Sequence, residues 1–132
     1  MVKKESPSID QLLKEAKADP DASEVGMFLV HNGVVRKTPR AKVRQGIDDG
    51  SEVMGMEFDY DPLKVEEAIA ETYKMDGIFY VKTWLNKGQL EVGDDIMYVL
   101  IGGDIRPNVI AGLQFLVGKI KNECVKEIEQ KK

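Results

Sequence analysis

One cysteine, Cys124, and one histidine, His31, are all that the chain has of either residue. No intramolecular disulfide can form, and no Cys/His metal cluster can be assembled. No apolar run reaches the ~18 residues that a membrane-spanning helix needs. The opening stretch, MVKKESPSID, has two lysines but no apolar segment behind them. That argues against a signal peptide, and a cytoplasmic chain is expected. An excess of positive charge is also missing. The formal net charge is −4, which disfavours broad nucleic-acid binding. No phosphate-binding glycine loop, Ser-His-Asp set, internal repeat or low-complexity linker occurs. The chain is expected to be a single domain over 1–132, with 1–7 and about 127–132 frayed.

What is there is an ordinary soluble composition, 42% hydrophobic and 32% charged, in 132 residues. That is long enough for a real core. Ser8 precedes IDQLLKEAKA, which predicts an N-capped amphipathic helix ending near Asp19-Pro20. Residues 24–33 read as a strand buried on both sides, and residues 52–61 as a second strand. Between them, residues 34–52 begin as strand and then lose their pattern. Asp61-Pro62 opens a helix, with Gly77 as its stop. Residues 78–88 predict a strand, 89–95 a turn, and the apolar run 96–104 another strand. Pro107 begins a last helix, with Asp104 or a neighbour as its cap. The order α-β-β-α-β-β-α lacks a regular β-α-β alternation, so an α+β fold with a mostly antiparallel sheet and flanking helices is expected.

Three groups of residues could carry chemistry. The irregular segment holds Arg36, Lys37, Arg40, Lys42 and Arg44, a cationic loop that can grip phosphate or carboxylate oxygens or can simply be a solvated charged loop. Arg106 follows Gly102-Gly103-Asp104 at a helix start, where a backbone can approach an anion closely or merely turn tightly. Lys119, Lys121 and Lys126 stand near the end of the last helix. Their charge complements a helix dipole, and a lysine in a partly apolar site can also act as acid, base or nucleophile. His31 reads as a hydrogen-bonded core or edge residue, and Cys124 as a passive thiol.

Taken together, these stretches resemble the large, catalytic subunit of molybdopterin synthase over about residues 8–123. GMFLVHNGVVR (26–36) is similar to the family's first core strand, which ends in a G-x-V-R pattern, here Gly33-Val34-Val35-Arg36. FDYDPLKVEEAIAETY is similar to its strand and first long helix. KGQLEVGDDIMYVLIGGDIRPNVIAGLQFLVGKIK is similar to its G-x-L-x-x-G-D-x-x-V stretch, strand and final helix. Where the family has His-Arg before the last helix, this chain has Ile105-Arg106. A second His-Arg of the family corresponds to Leu85-Asn86. Counted from Phe115, Lys121 is in register with a family lysine, and the second lysine's position is Ile128. Lys126 fills that role only with a two-residue shift, although Lys119 and Lys126 keep the spacing of seven.

The resemblance implies an α/β hammerhead fold and a homodimer that binds two small ubiquitin-like sulfur carriers, a heterotetramer. It implies a sulfurtransferase that moves sulfur from the carrier's C-terminal Gly-Gly thiocarboxylate to a cyclic pyranopterin monophosphate, in molybdenum cofactor biosynthesis. No cofactor or metal of the chain's own is implied. Lys121 or Lys126 would be catalytic. Arg36, Arg106 and Lys119 would bind substrate, with the two arginines converging on one anion site. The alternative is a non-catalytic dimeric module on the same fold that binds a sulfur carrier or another acidic partner.

Overall fold

The structure is a computed structural model and describes residues 3–131. The expectations for Met1, Val2 and Lys132 lie outside the described residues. Helix α1 (Ile9–Lys17) leads into strand β1 (Met27–Val34), the short helix α2 (Arg40–Gln45) and strand β2 (Val53–Tyr60). Helix α3 (Pro62–Tyr73) follows, then β3 (Ile78–Leu85), β4 (Gly88–Glu91), β5 (Asp95–Gly103), helix α4 (Arg106–Lys119) and β6 (Val125–Lys131). Two three-stranded sheets result, ordered β1-β5-β3 and β4-β2-β6, with every pairing antiparallel. The fold is α+β, as the order of elements implied. Among the described residues no helix is long and apolar enough to cross a membrane.

The apolar run of β5 explains its central place. Met97, Val99 and Ile101 point into the main core with Val109, Leu116 and Ile120, while Tyr98 and Leu100 pack against Leu12 and Ala16 of α1. A strand covered on both faces needs no polar alternation. Helix α1 is capped as expected, with Ser8 Oγ accepting from the Gln11 N–H at 3.3 Å. Asp61 caps α3 by accepting from Leu63 N–H at 3.0 Å, and Pro62 takes the first helical turn.

Several elements differ from the sequence reading. β1 is half-buried rather than buried on both sides, because it is an edge strand paired only with β5. The irregular basic segment contains the short helix α2, closed by Gly46 at φ 68°. Residues 88–91, expected partly as a strand end and partly as a turn, form β4 against β2, and the turn is carried by Gly93 at φ 95°. Of Asp104 or a neighbour, the cap of α4 is the neighbour. Ile105 occupies that position, and Asp104 Oδ1 accepts from its N–H and from Asn108 Nδ2.

The chain ends differ most. Residues 3–6 are tied down. Lys3 pairs with Asp94 at 2.8 Å, the Lys4 N–H donates to Asn86 Oδ1 at 2.7 Å, and Ser6 Oγ donates to Asp95 at 2.6 Å. At the other end the last helix stops at Lys119. A π turn (Ile120–Cys124) then delivers the chain into β6, which pairs with β2 from Tyr60↔Val125 to Val53↔Lys131. The charge-dense VKEIEQK has little strand propensity of its own. Pairing along β2 overrides that preference.

Candidate functional site

At the C-terminal end of β1 the chain opens a cleft of about 190 Å³. An irregularity between Gly33 and Val34 bends the strand just before Arg36. Helix α2 contributes Arg40 and Arg44, whose i,i+4 spacing puts them on one helix face. The π turn brings in Lys121, and β6 brings Glu127 and Glu129. His31 lines the cleft from β1, and Met56 and Ile96 supply apolar wall.

The charges in this cleft are unevenly partnered. Glu127 is nearly buried, its side chain 7% exposed. Its Oε2 accepts from Arg40 Nη1 at 3.2 Å, and its Oε1 lies 3.4 Å from Lys121 Nζ. Glu129 accepts from the backbone N–H of Arg40, at 3.0 Å to Oε2. Arg36 donates Nε to the Thr38 carbonyl at 3.1 Å. Among the described residues neither Arg36 nor Arg44 has a carboxylate partner. Two cations are thus neutralised from within, and two face the cleft unpaired. Burial and the neighbouring Lys121 charge hold the His31 imidazole below its usual pKa, so a neutral ring faces the cleft near neutral pH.

The residues singled out from the sequence fall in four places. Arg36 and Lys121 share the cleft. Lys119 lies on another face, between α3 and the π turn, with Glu123 at 2.9 Å and Glu71 at 3.7 Å. Those carboxylates, Glu123 foremost, raise its pKa. Lys126 is exposed on the face of β6 opposite Glu127, in a groove with Asp59 and Tyr60. Arg106 opens α4 beyond Gly103, whereas Arg36 follows Val34, which pairs with Asp95 at the other end of β5. A nine-residue strand separates the two arginines by roughly 25 Å. Within one chain they therefore do not converge. Cys124 is buried, its thiol directed at the Lys119 carbonyl at 3.6 Å, and burial pushes its pKa up.

Sequence reasoning missed His31, Glu127 and Glu129 as cleft residues. Val125, Glu127 and Glu129 share one face of β6, but VKEIEQK has no apolar-polar alternation to announce a strand, and this end was expected to fray. No group of three or more His, Cys, Asp or Glu able to hold a metal occurs among the described residues.

Two antiparallel sheets with a cation-lined cleft where β1, the π turn and β6 meet define an α+β domain suited to binding an anion. The family described as MoaE protein matches residues 2–123. The chain belongs to the MoaE family, that of the molybdopterin synthase large subunit. No curated protein matches the sequence. Solved structures share the fold. The molybdopterin biosynthesis MoaE protein from Burkholderia ambifaria is 19% identical, with a TM-score of 0.72 and coverage of 96% of this chain and 81% of that one. Molybdopterin synthase from Staphylococcus aureus is 15% identical, with a TM-score of 0.70 and coverage of 96% and 88%. A complex of subunits 1 and 2 of the molybdopterin-converting factor from Helicobacter pylori contains a chain 18% identical, with a TM-score of 0.66 and coverage of 94% and 79%.

Proposed function

We propose that this chain acts in molybdenum cofactor biosynthesis as a molybdopterin synthase large subunit. In this reading it transfers sulfur from a thiocarboxylated ubiquitin-like carrier to cyclic pyranopterin monophosphate. The observation that carries the reading is the cleft itself: Arg36, Arg44 and Lys121 gathered at the end of β1 on a family fold. A carrier tail ends in an anion, and the pterin carries a phosphate. Guanidinium groups hold such oxygens through paired hydrogen bonds. The Lys121 ammonium is a compact charge on a flexible stem, suited to following a reacting group. The sulfur arrives on the carrier, so the chain needs no cysteine pair of its own.

The small partner fits the reported pairing of two subunits in the Helicobacter pylori complex. A homodimer completes the proposal. Arg106 and Ile110 share a face of α4, and Ile105 and Ile110 are exposed beside that arginine. In this proposal, Arg106 of one copy serves the cleft of the other. Lys119 and Lys126 stand outside the cleft and are assigned no catalytic part. The test is to mix the protein with a thiocarboxylated carrier and the cyclic pterin. Dithiolene product supports the reading, and its absence with a competent carrier contradicts it.

One observation favours a second reading. Glu127 already neutralises Lys121, which suits a dimeric module that holds a carrier or another acidic partner without turnover. Carrier binding without product in the same experiment identifies that module.

A further inference from the structure

Glu127 is a buried carboxylate that its neighbours do not fully satisfy. Arg40 donates a hydrogen bond to Oε2, but Oε1 accepts none among the described residues, although Lys121 Nζ stands 3.4 Å away. A buried carboxylate is costly unless it is both paired and hydrogen-bonded. Arg40 is fixed at two points, its guanidinium on Glu127 and its backbone N–H on Glu129. Lys121 is held only by attraction, and its side chain is 32% exposed. Its ammonium can therefore turn toward an anion in the cleft by rotation of its own stem, while Arg40 keeps Glu127 paired. An anion that enters beside Arg36 and Arg44 must compete with Glu127 for that ammonium.

Resting on the reading of the cleft as an anion site, we propose that Glu127 is a positioning residue that acts through Lys121. It draws the ammonium toward β6 and yields it to the terminal carboxylate or thiocarboxylate of an incoming peptide tail. Glu127 thereby sets the threshold at which a tail is gripped. An anion with one strong charge at its end displaces it, and a neutral tail does not.

The test uses the full chain and two synthetic peptides ending in Gly-Gly, one with a free carboxylate and one amidated, titrated by calorimetry. Glu127→Gln keeps the shape of the side chain and removes its charge. It is expected to bind the free acid about tenfold more tightly than the unmodified protein, with no change for the amide. In a Lys121→Met background the same Glu127 substitution is expected to leave affinity unchanged, because the lysine through which it acts is gone. Equal or weaker binding of the acid by a folded Glu127→Gln variant overturns the proposal, as does tightening that persists without Lys121. Should Glu127→Gln fail to fold, Glu127→Asp keeps the charge but draws it back by one methylene. Tightening supports the proposal there, and unchanged affinity overturns it. If neither the unmodified protein nor the variant binds the acid, the anion-site reading falls and this proposal with it. Equal binding by both removes this proposal alone.

Discussion

His31 and Lys121 report on each other. The imidazole is held below its usual pKa first by burial and then by the Lys121 charge. The unfolded chain therefore takes up a proton at higher pH than the folded one. This contribution to stability is present above the ordinary histidine pKa of about 6.5 and is lost as the pH falls below it, through the lower folded-state pKa. An NMR titration of the His31 ring is expected to show a pKa below 6.5. Lys121→Met should raise it part of the way, leaving the share due to burial. No change on removing Lys121 would separate the two residues. From the sequence, Arg36 and Lys121 were legible as candidates because the spacing of two distant blocks matched a family. His31 was not, because a lone histidine in an apolar strand looks the same whether it faces a core or a cleft. Glu127 was hidden for a different reason. Its hydrogen-bond partner, Arg40, lies far away in the chain, and Lys121 reaches it only because the π turn folds the chain back into β6.

Elements with strong local signals were legible. The Ser8 and Asp61 caps and the apolar run of β5 stand where local chemistry puts them. Elements that depend on pairing partners were not. β6 and β4 exist because β2 offers two edges, and no local pattern announces them. The short helix α2 is held at its start by Glu129. Glu129→Ala is expected to speed hydrogen exchange at the Arg40 amide, with little change elsewhere. Asn86, 2% exposed, pins the chain start and the β3–β4 turn together. It accepts from Lys4 N–H and donates to the Asp95 carbonyl at 2.9 Å. Asn86→Ala should cost about 1–3 kcal/mol in denaturant unfolding, because buried backbone groups lose their partners. A cost near zero would show that the chain start is not held there.

At the scale of the whole molecule, the proposed dimer turns on the two arginines. Arg36 and Arg106 stand at opposite ends of β5, so an anion held by both needs two chains. Sedimentation at tens of micromolar is expected to give a dimer, and Ile110→Glu should weaken it by placing a charge beside Arg106 on the exposed face of α4. A monomer at that concentration would leave Arg106 without a site. The central claim is that Lys121 in the β1–β6 cleft, and not Lys126 on the opposite face of its strand, serves sulfur transfer. The most direct measurement is the rate of dithiolene formation, with a thiocarboxylated carrier and cyclic pyranopterin monophosphate, for the unmodified protein, Lys121→Ala and Lys126→Ala. The account predicts a loss of about 100-fold or more for Lys121→Ala, with circular dichroism unchanged, and near-normal rates for Lys126→Ala. Full activity in Lys121→Ala with loss in Lys126→Ala would contradict it.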